Sequence, residues 1–334
     1  MADKEKRVRY SEGYVNGEVI CFKNGSISNK GKKDESLKFV IEIETEEGKT
    51  TDVDFFVKKY SNKGNTNKTY AKMKKLYTDC PTREDDGEGE IVNCLLKFEE
   101  NKYVTKEGEF VDRGTRVGGV FCTTQEDSKF PITKGSKGMV YCMLEGYEDV
   151  TDIDGDALEL NVLVNNYAYY NEEEKEDKVN GFIMKIRTHN EEYAEYIKEE
   201  LKVGDILYME FDFVKSVAKA KKSRGIGKSV KNRVQIETYF ELTNCSAPIM
   251  TLDDNNEYIK PVYDDLEEGE EEEFCYTVPS QEDFPFTSHY IELMHQAIDE
   301  RIERLQEKVD DIRKEKGEEE VGEEVEVAED EAPF

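Results

Sequence analysis

The first 250 residues alternate short runs of β-forming side chains with polar loops. In the run 37–45, every second residue from Leu37 to Ile43 is apolar, which is the period of a strand with one buried face. Residues 69–77 instead carry apolar side chains at helical spacing, and Pro81 closes that segment. The pattern therefore predicts a mainly β chain with occasional helices.

The predicted elements occur twice in the same order, with a helix between the third and fourth strands of each set. The strands are predicted at 14–22, 37–45, 51–57, 91–98 and 116–124, and then at 139–147, 157–167, 178–187, 206–214 and 233–243. This is the order of the oligonucleotide-binding (OB) barrel, which binds nucleic acid on one face and with the loops after strands one and four. The order predicts two tandem OB-like five-stranded barrels, at 1–132 and 133–247, with another pair of small β-barrels or a split sandwich as the alternative.

The last quarter of the chain loses this β character. Residues 248–286 are predicted to be an acidic linker or arm, because they hold too little apolar surface to order themselves. Residues 287–316 carry an apolar stripe at three- and four-residue steps, with Ser288 as the expected cap, and predict a helix. This stripe either packs against a barrel or supports a homo-oligomer. Residues 317–334 are predicted to be a disordered acidic tail.

Charge is distributed unevenly along the chain. The whole sequence has 77 acidic and 47 basic residues, a net charge of -30, which argues against a polyanionic partner. Residues 251–334 hold 30 of the acids and 7 of the bases, net -23, so residues 1–250 hold 47 acids and 40 bases, net -7. The sequence is thus a nearly neutral body with an acidic tail.

Several classes of protein are excluded by what the sequence lacks. The seven cysteines are widely spaced without a Cys-x-x-Cys pair, which is typical of reduced core thiols, and no stretch reaches the ~18 apolar residues of a membrane span. The acids of 152–156 have calcium-loop spacing, but the glycine is misplaced and no glutamate follows at the twelfth position. We expect a soluble, cytoplasmic protein of a bacterial or phage-infected cell, with no enzymatic activity, cofactor, metal or membrane partner.

The densest basic segment lies between strands four and five of the second predicted barrel and contains no acid. Its basic residues are Lys215, Lys219, Lys221, Lys222, Arg224, Lys228, Lys231 and Arg233. In an OB barrel this loop overhangs the binding groove, where mobile Lys and Arg side chains can follow a phosphate backbone. We predict that it contacts DNA.

A second basic set and a group of aromatic residues complete the predicted DNA-binding site. The lysines are Lys23, Lys30, Lys32 and Lys33 after the first strand, with Lys58, Lys59, Lys63, Lys68, Lys72, Lys74 and Lys75 around the first helix. Bases stack on exposed rings, and the rings considered are Phe22, Phe55, Tyr60, Tyr103, Tyr167, Tyr169, Tyr170 and Tyr208. Phe55, Tyr60, Tyr103, Tyr169 and Tyr170 are the predicted stacking residues. Tyr169 and Tyr170 are adjacent, so one of them is expected to face outward.

With its predicted barrels, its basic loops and an acidic tail ending in Pro-Phe, the chain resembles the OB-fold single-stranded-DNA-binding proteins of bacteria and bacteriophages. The resemblance implies that the tail tip docks into a hydrophobic pocket with a basic rim on replication, recombination and repair proteins, such as a helicase, polymerase, primase or recombinase. The residues implied to dock are Glu329, Asp330, Glu331, Pro333 and Phe334. Ala332 departs from the pattern, because the bacterial tail usually has isoleucine there.

The function predicted from these features is binding of single-stranded DNA with little sequence preference, with the tail recruiting partner proteins. Two other classes remain open. One is an acidic protein-binding or DNA-mimicking factor, whose carboxylates occupy a partner's nucleic-acid site. The other is a structural or assembly protein built around the helix at 287–316.

Overall fold

A computed structural model describes most of the body of the chain. The described residues are 11–60, 64–171, 175–218, 235–253, 258–259 and 286–316. The basic loop from Lys219 to Arg233, most of the arm at 248–286 and the whole tail at 317–334 lie outside them.

The first half of the body contains five strands and two helices. These are β1 (Ser11–Ser28), β2 (Ser36–Glu46), β3 (Lys49–Lys58), α1 (Lys68–Asp79), α2 (Arg83–Asp86), β4 (Ile91–Val104) and β5 (Phe110–Thr124). On β2 the alternating apolar residues are fully buried, as their period predicts. Helix α1 begins at Asn67, whose side chain accepts a hydrogen bond from the Thr69 amide, and it buries Tyr70, Met73 and Leu76.

The second half repeats this order. Its elements are β6 (Gly135–Thr151), β7 (Asp156–Asn171), β8 (Glu176–Thr188), α3 (Glu191–Glu200), β9 (Ile206–Ala218) and β10 (Gln235–Cys245). Two short strands, β11 (Thr251–Leu252) and β12 (Tyr258–Ile259), pair with each other. The predicted strands and helices are all present, so the mainly β class and the recurring element order are confirmed.

The strands of each half pair in a ring. In the first half the order is β1, β2, β3, β5, β4 and back to β1, with β3 and β5 parallel and the other neighbours antiparallel. The second half repeats it as β6, β7, β8, β10, β9 and back to β6, with β8 and β10 parallel. Because β1 also pairs with β6, the ten strands form one large sheet.

The junction between the halves depends on two facing glycines. Gly13 on β1 pairs with Gly138 on β6. A Cβ on Gly138 would lie 2.1 Å from the Phe211 ring, and one on Gly13 would lie 2.9 Å from the Phe98 ring. Their absence lets Phe98 and Phe211 pack together with ring centroids 5.4 Å apart, so one core continues through both halves.

The last described element is α4 (Ser288–Glu315), which confirms the predicted C-terminal helix. Its cap is Thr287 and not Ser288, because the Thr287 side chain accepts the hydrogen bond from the Tyr290 amide and Ser288 is already the first helical residue. The apolar stripe packs inward on the second half, where Met294 is fully buried. The helix also reaches the first half, since Arg301 lies 3.2 Å from Glu100.

The remaining expectations concern cysteines, the acidic turn and membranes. The six cysteines among the described residues are free thiols. In the turn between β6 and β7, Asp152 accepts hydrogen bonds from the amides of Asp154 and Gly155 at 2.8 and 3.2 Å, as expected of a polar turn. No described helix combines the length and apolar character that crossing a bilayer requires.

Candidate nucleic-acid interface

An exposed aromatic ring lies among lysines on the outer face of β2 and β3. Successive side chains of a strand point to opposite faces, so Phe55 points into the core and Phe56 points outward. The side chain of Phe56 is 52% exposed. Lys38 is its direct cross-strand neighbour, and Lys58 is two residues along on the same face of β3. We call Lys38, Phe56 and Lys58 the β2–β3 patch.

The loop from β1 to β2 adds three more lysines beside this patch. Lys30, Lys32 and Lys33 are all exposed, and the loop ends at Ser36, which pairs with Lys58. No described acidic side chain forms an ion pair with any of the three. The predicted loop lysines are therefore brought together with the β2–β3 patch.

A buried carboxylate fastens the base of this loop. Glu35 accepts hydrogen bonds from the Tyr70 hydroxyl at 2.6 Å, the Gly31 amide at 2.6 Å and Lys59 Nζ at 3.0 Å. These bonds, the one from Tyr70 foremost, lower the pKa of Glu35 to about 2. The lysine loop is thus held to helix α1 and to the end of β3 by one ionised group.

The prediction that Phe55 stacks on bases is wrong. Its side chain is 0% exposed, and its ring stacks on Phe39 with centroids 5.1 Å apart. Tyr208 is also buried, beneath α4, and Phe22 packs edge-on against Phe39 and Tyr77. These rings are core because their strand positions point inward.

The other aromatic residues that were predicted to stack on bases lie elsewhere in the structure. Tyr60 follows β3 and bridges to Thr66. Tyr103 on β4 is 36% exposed, and the Arg113 guanidinium lies 5.7 Å from its ring centroid. Tyr169 and Tyr170 belong to β7, but their side chains lie outside the described part of the chain.

A cleft of about 590 Å³ separates the two halves. Five basic and three acidic side chains line it, and four of the five cations pair with carboxylates. The basic residues are Arg113, Arg116, Lys185, Arg187 and Lys215, and the acidic ones are Asp52, Asp54 and Glu159. We call this space the inter-half cleft.

Two of the predicted DNA-binding lysines meet at one edge of this cleft. Lys23 belongs to β1 itself, and its Nζ lies 2.7 Å from one Glu42 oxygen, while Lys215 Nζ lies 2.8 Å from the other. Burial opposes ionisation of Glu42, but the hydrogen bonds from Lys215 and Lys23 outweigh it and lower the pKa to about 2. Asp52 completes the cluster, 3.1 Å from Lys23 and 3.6 Å from Lys215. Lys215 of the second half therefore shares its carboxylate partners with Lys23 of the first half, and this pairing joins the two halves.

Arginines are held on both sides of the same cleft. From β8, Arg187 pairs with Glu159 at 2.7 Å, Asp152 at 3.0 Å and Glu237 at 2.5 Å, and its guanidinium lies 5.5 Å from the Tyr239 ring centroid. On the opposite wall, Arg116 Nε lies 3.1 Å from Asp54. Each guanidinium is fixed in place by carboxylates, which is the arrangement of a preorganised charged surface.

The basic loop begins a short distance from this cleft. Strands β9 and β10 pair out to Ala218 opposite Gln235, so residues 219–234 connect them at that end. Lys215 of the cleft is three residues from Ala218, about 10 Å of strand. The predicted position of the loop, between the fourth and fifth strands of the second half, is confirmed. Lys219, Lys221, Lys222, Arg224, Lys228, Lys231 and Arg233 themselves lie outside the described residues.

The counterpart of the β2–β3 patch in the second half is covered. Strands β7 and β8 correspond to β2 and β3 in the ring, and α4 lies over their outer face. Met294 and Leu163 belong to one buried cluster. A Cβ on Gly181 would lie 2.6 Å from the Met294 side chain, so only glycine leaves room for it there. The end of this face that carries Glu159, Lys185 and Arg187 opens into the inter-half cleft.

The sequence interpretation missed several interface residues that the structure brings together. These are Lys38, Phe56, Arg113, Arg116, Lys185 and Arg187. Phe55 and Phe56 are adjacent on a strand, so one of them has to point outward. The apolar positions Leu37 and Phe39 on the neighbouring strand indicate that Phe55 is the one that points inward. No such signal existed for the arginines, because the cleft joins strands that are distant in sequence.

The chain belongs to the YorF family, whose model matches residues 15–271. The search of curated proteins found no match.

Among solved structures, the chain is similar to the wild-type single-stranded DNA binding protein from Thermus aquaticus, with 11% identity and a TM-score of 0.41 over 71% of this chain and 92% of that one. It is also similar to the Plasmodium falciparum SSB in complex with ssDNA, with 13% identity and a TM-score of 0.22 over 32% of this chain and 85% of that one. A third is the mitochondrial single-stranded DNA binding protein Rim1 from S. cerevisiae, with 13% identity and a TM-score of 0.21 over 34% of this chain and 94% of that one. At such low identities and scores, function has to be derived from the residues of this chain.

Proposed function

We propose that this protein binds single-stranded DNA with little sequence preference. The observation that carries the proposal is the β2–β3 patch, where the 52% exposed ring of Phe56 lies between Lys38 and Lys58. An exposed ring offers a stacking surface to any base, and the lysines offer charge to the adjoining phosphates. Lys30, Lys32 and Lys33 extend that charge along the loop.

Within this proposal, each ring of five strands is an OB-like barrel. The strand order and the parallel closing pair of each ring support this interpretation. The β2–β3 patch and the β1–β2 loop then occupy the positions at which such a barrel holds nucleic acid. The second barrel contributes through its basic loop, because α4 covers its corresponding face.

The test is a salt-dependent titration of the full chain with a fluorescein-labelled oligo-dT, comparing the wild type with a Lys38→Ala/Lys58→Ala variant. Each lost phosphate contact should reduce the salt slope by about 0.7, and the affinity at low salt should fall at least about tenfold. The matched control is Lys308→Ala/Lys314→Ala, which removes two exposed lysines from α4 and should leave binding unchanged. Equal behaviour of the two variants would refute the proposed face.

The acidic tail completes the proposal as a recruiting element in DNA replication, recombination or repair. A terminal aromatic behind several carboxylates suits a hydrophobic pocket with a basic rim. Deleting Pro333 and Phe334 should abolish retention of purified replication or recombination proteins on the immobilised full chain, while DNA binding stays intact or improves. Undiminished retention would remove the tail tip from the proposal.

A further inference from the structure

We propose that the inter-half cleft is a second binding site for the same strand, at which its phosphates are held by both halves at once. This inference rests on the proposed binding of single-stranded DNA. It adds the path that the DNA follows beyond Phe56. The carrying observation is the exposed Arg113 guanidinium, which forms no ion pair with a described carboxylate, at a cleft whose walls come from both halves.

The cleft contains polar groups that its own protein does not satisfy. Thr115 Oγ1 is buried and has no hydrogen-bond partner among the described residues, although it lines the cleft. Leaving a buried hydroxyl unpaired costs about 1–3 kcal/mol, which a ligand that hydrogen-bonds to it would recover. Arg113 also lines the cleft and forms no ion pair with a described carboxylate, unlike the other four cations. Both groups suit a phosphate oxygen.

The cleft also contains a surface for a base. The Arg187 guanidinium covers one face of the Tyr239 ring, so a base would stack on the guanidinium, and Phe213 and Phe240 form the apolar wall beside it. Arg187 is fixed by three carboxylates, so it can hold its position while a ligand enters. The cleft volume of about 590 Å³ falls within the range of ligand pockets.

The β2–β3 patch and the cleft lie on one continuous surface. Along β3, Phe56 is four residues from Asp52 at the cleft edge, about 13 Å of strand. Beyond the cleft, Lys215 leads along β9 towards the basic loop. A DNA strand on Phe56 would therefore reach the cleft without leaving the surface.

The test compares two lengths of oligo-dT. About 6 nucleotides falls within the roughly 4–16 nucleotides that one such barrel holds, and about 25 exceeds what one barrel holds. Arg113→Glu reverses the charge of the unpaired cation in the cleft. The control, Lys106→Glu, reverses the charge of an exposed lysine on the same hairpin but outside the cleft lining. We expect Arg113→Glu to weaken binding of the longer strand at least about tenfold and to reduce its salt slope. Binding of the shorter strand, which the β2–β3 patch holds, should change less than about twofold, as should both lengths with Lys106→Glu.

The outcomes separate this inference from the proposed function. If the wild type binds both lengths and the two variants behave alike, the cleft is not a DNA site and the face on β2 and β3 stands alone. If the wild type binds neither length, the proposed function fails. A Thr115→Val variant checks that a loss of binding does not come from misfolding. Removing an unpartnered hydroxyl should weaken binding of the longer oligonucleotide without lowering the melting temperature of the protein.

Discussion

At the scale of single residues, strand parity decides which ring can meet a base. Phe55 and Phe56 are chemically identical neighbours, yet one is 0% and the other 52% exposed. The buried ring stabilises the core and the exposed one has no structural partner that requires an aromatic side chain. The difference makes Phe56 the most informative position in the chain.

We predict that Phe56→Ala weakens binding of oligo-dT by about 5- to 150-fold, because base–aromatic stacking contributes about 1–3 kcal/mol per base. Binding isotherms at fixed salt measure the change. Phe130→Ala is the matched control, since that ring is 76% exposed and lies in the loop after β5. A loss of equal size in both variants would show that Phe56 is not a stacking position.

A pH dependence follows from Glu35, which anchors the lysine loop. Its pKa in the folded protein is about 2, below the ordinary value of 4.5, so the ionised form stabilises the fold above pH 4.5 and this stabilisation is lost as pH falls towards 2. Glu35→Gln should therefore be less stable than the wild type at neutral pH, and the difference should shrink between pH 4.5 and pH 2. Denaturant unfolding across that range measures it. A difference that stays constant with pH would contradict the assigned role of the carboxylate.

At the scale of elements, α4 determines which half presents a free face. Phe286, Ile291, Met294 and Ile298 pack over the outer face of the second half, while Phe56 on the corresponding face of the first half is 52% exposed among the described residues. This asymmetry makes the two halves unequal although their strand order repeats.

We predict that Met294→Ala lowers the free energy of unfolding by about 2–5 kcal/mol, because the side chain is fully buried against Gly181 and a cavity would remain. Gln296→Ala, an exposed position of the same helix, should change it by less than about 0.5 kcal/mol. Thermal or denaturant unfolding measures both variants. Equal stabilities would mean that α4 contributes little to the body of the protein.

The elements were predictable from the sequence to a greater extent than the site. The periods of apolar residues in β2 and α1 are local, and capping residues such as Asn67 follow local rules, so β1 to β10 and the helices α1, α3 and α4 were predicted. The four-residue helix α2 and the two-residue strands β11 and β12 were not. The inter-half cleft depends on pairing between β1 and β6 and on the glycines that let Phe98 meet Phe211. Such contacts join residues more than a hundred positions apart, and no local pattern encodes them.

The ion-pair partners of the lysines could not be predicted from the sequence either. Lys23 and Lys215 were predicted to contact phosphate, but each is bound to Glu42 and Asp52. Their carboxylate partners lie on β2 and β3, which the first ring places beside β1 and which the junction of the two halves places beside β9. Lys30, Lys32 and Lys33 are exposed and form no ion pair with a described carboxylate.

At the scale of the whole molecule, opposite charges are kept apart. The basic loop and the β2–β3 patch belong to residues 1–250, whose net charge is -7, and residues 251–334 hold the remaining -23. Under the proposed function, the tail competes with DNA for the basic surfaces and is released when the strand binds.

Replacing Lys219, Lys221, Lys222 and Arg224 by alanine should therefore lower both affinity and salt dependence. The slope should fall by up to about 3 if all four side chains contact phosphate. The matched control removes four exposed cations of α4, in an Arg304→Ala/Lys308→Ala/Arg313→Ala/Lys314→Ala variant. An unchanged slope in the loop variant would exclude the loop from the interface.

The central claim is most directly tested by titrating the full chain into labelled oligo-dT of about 25 nucleotides over a series of salt concentrations. The proposed function predicts micromolar or tighter binding at low salt, and an affinity that falls linearly on a log–log plot with a slope of several units. Absence of binding at low salt would contradict it.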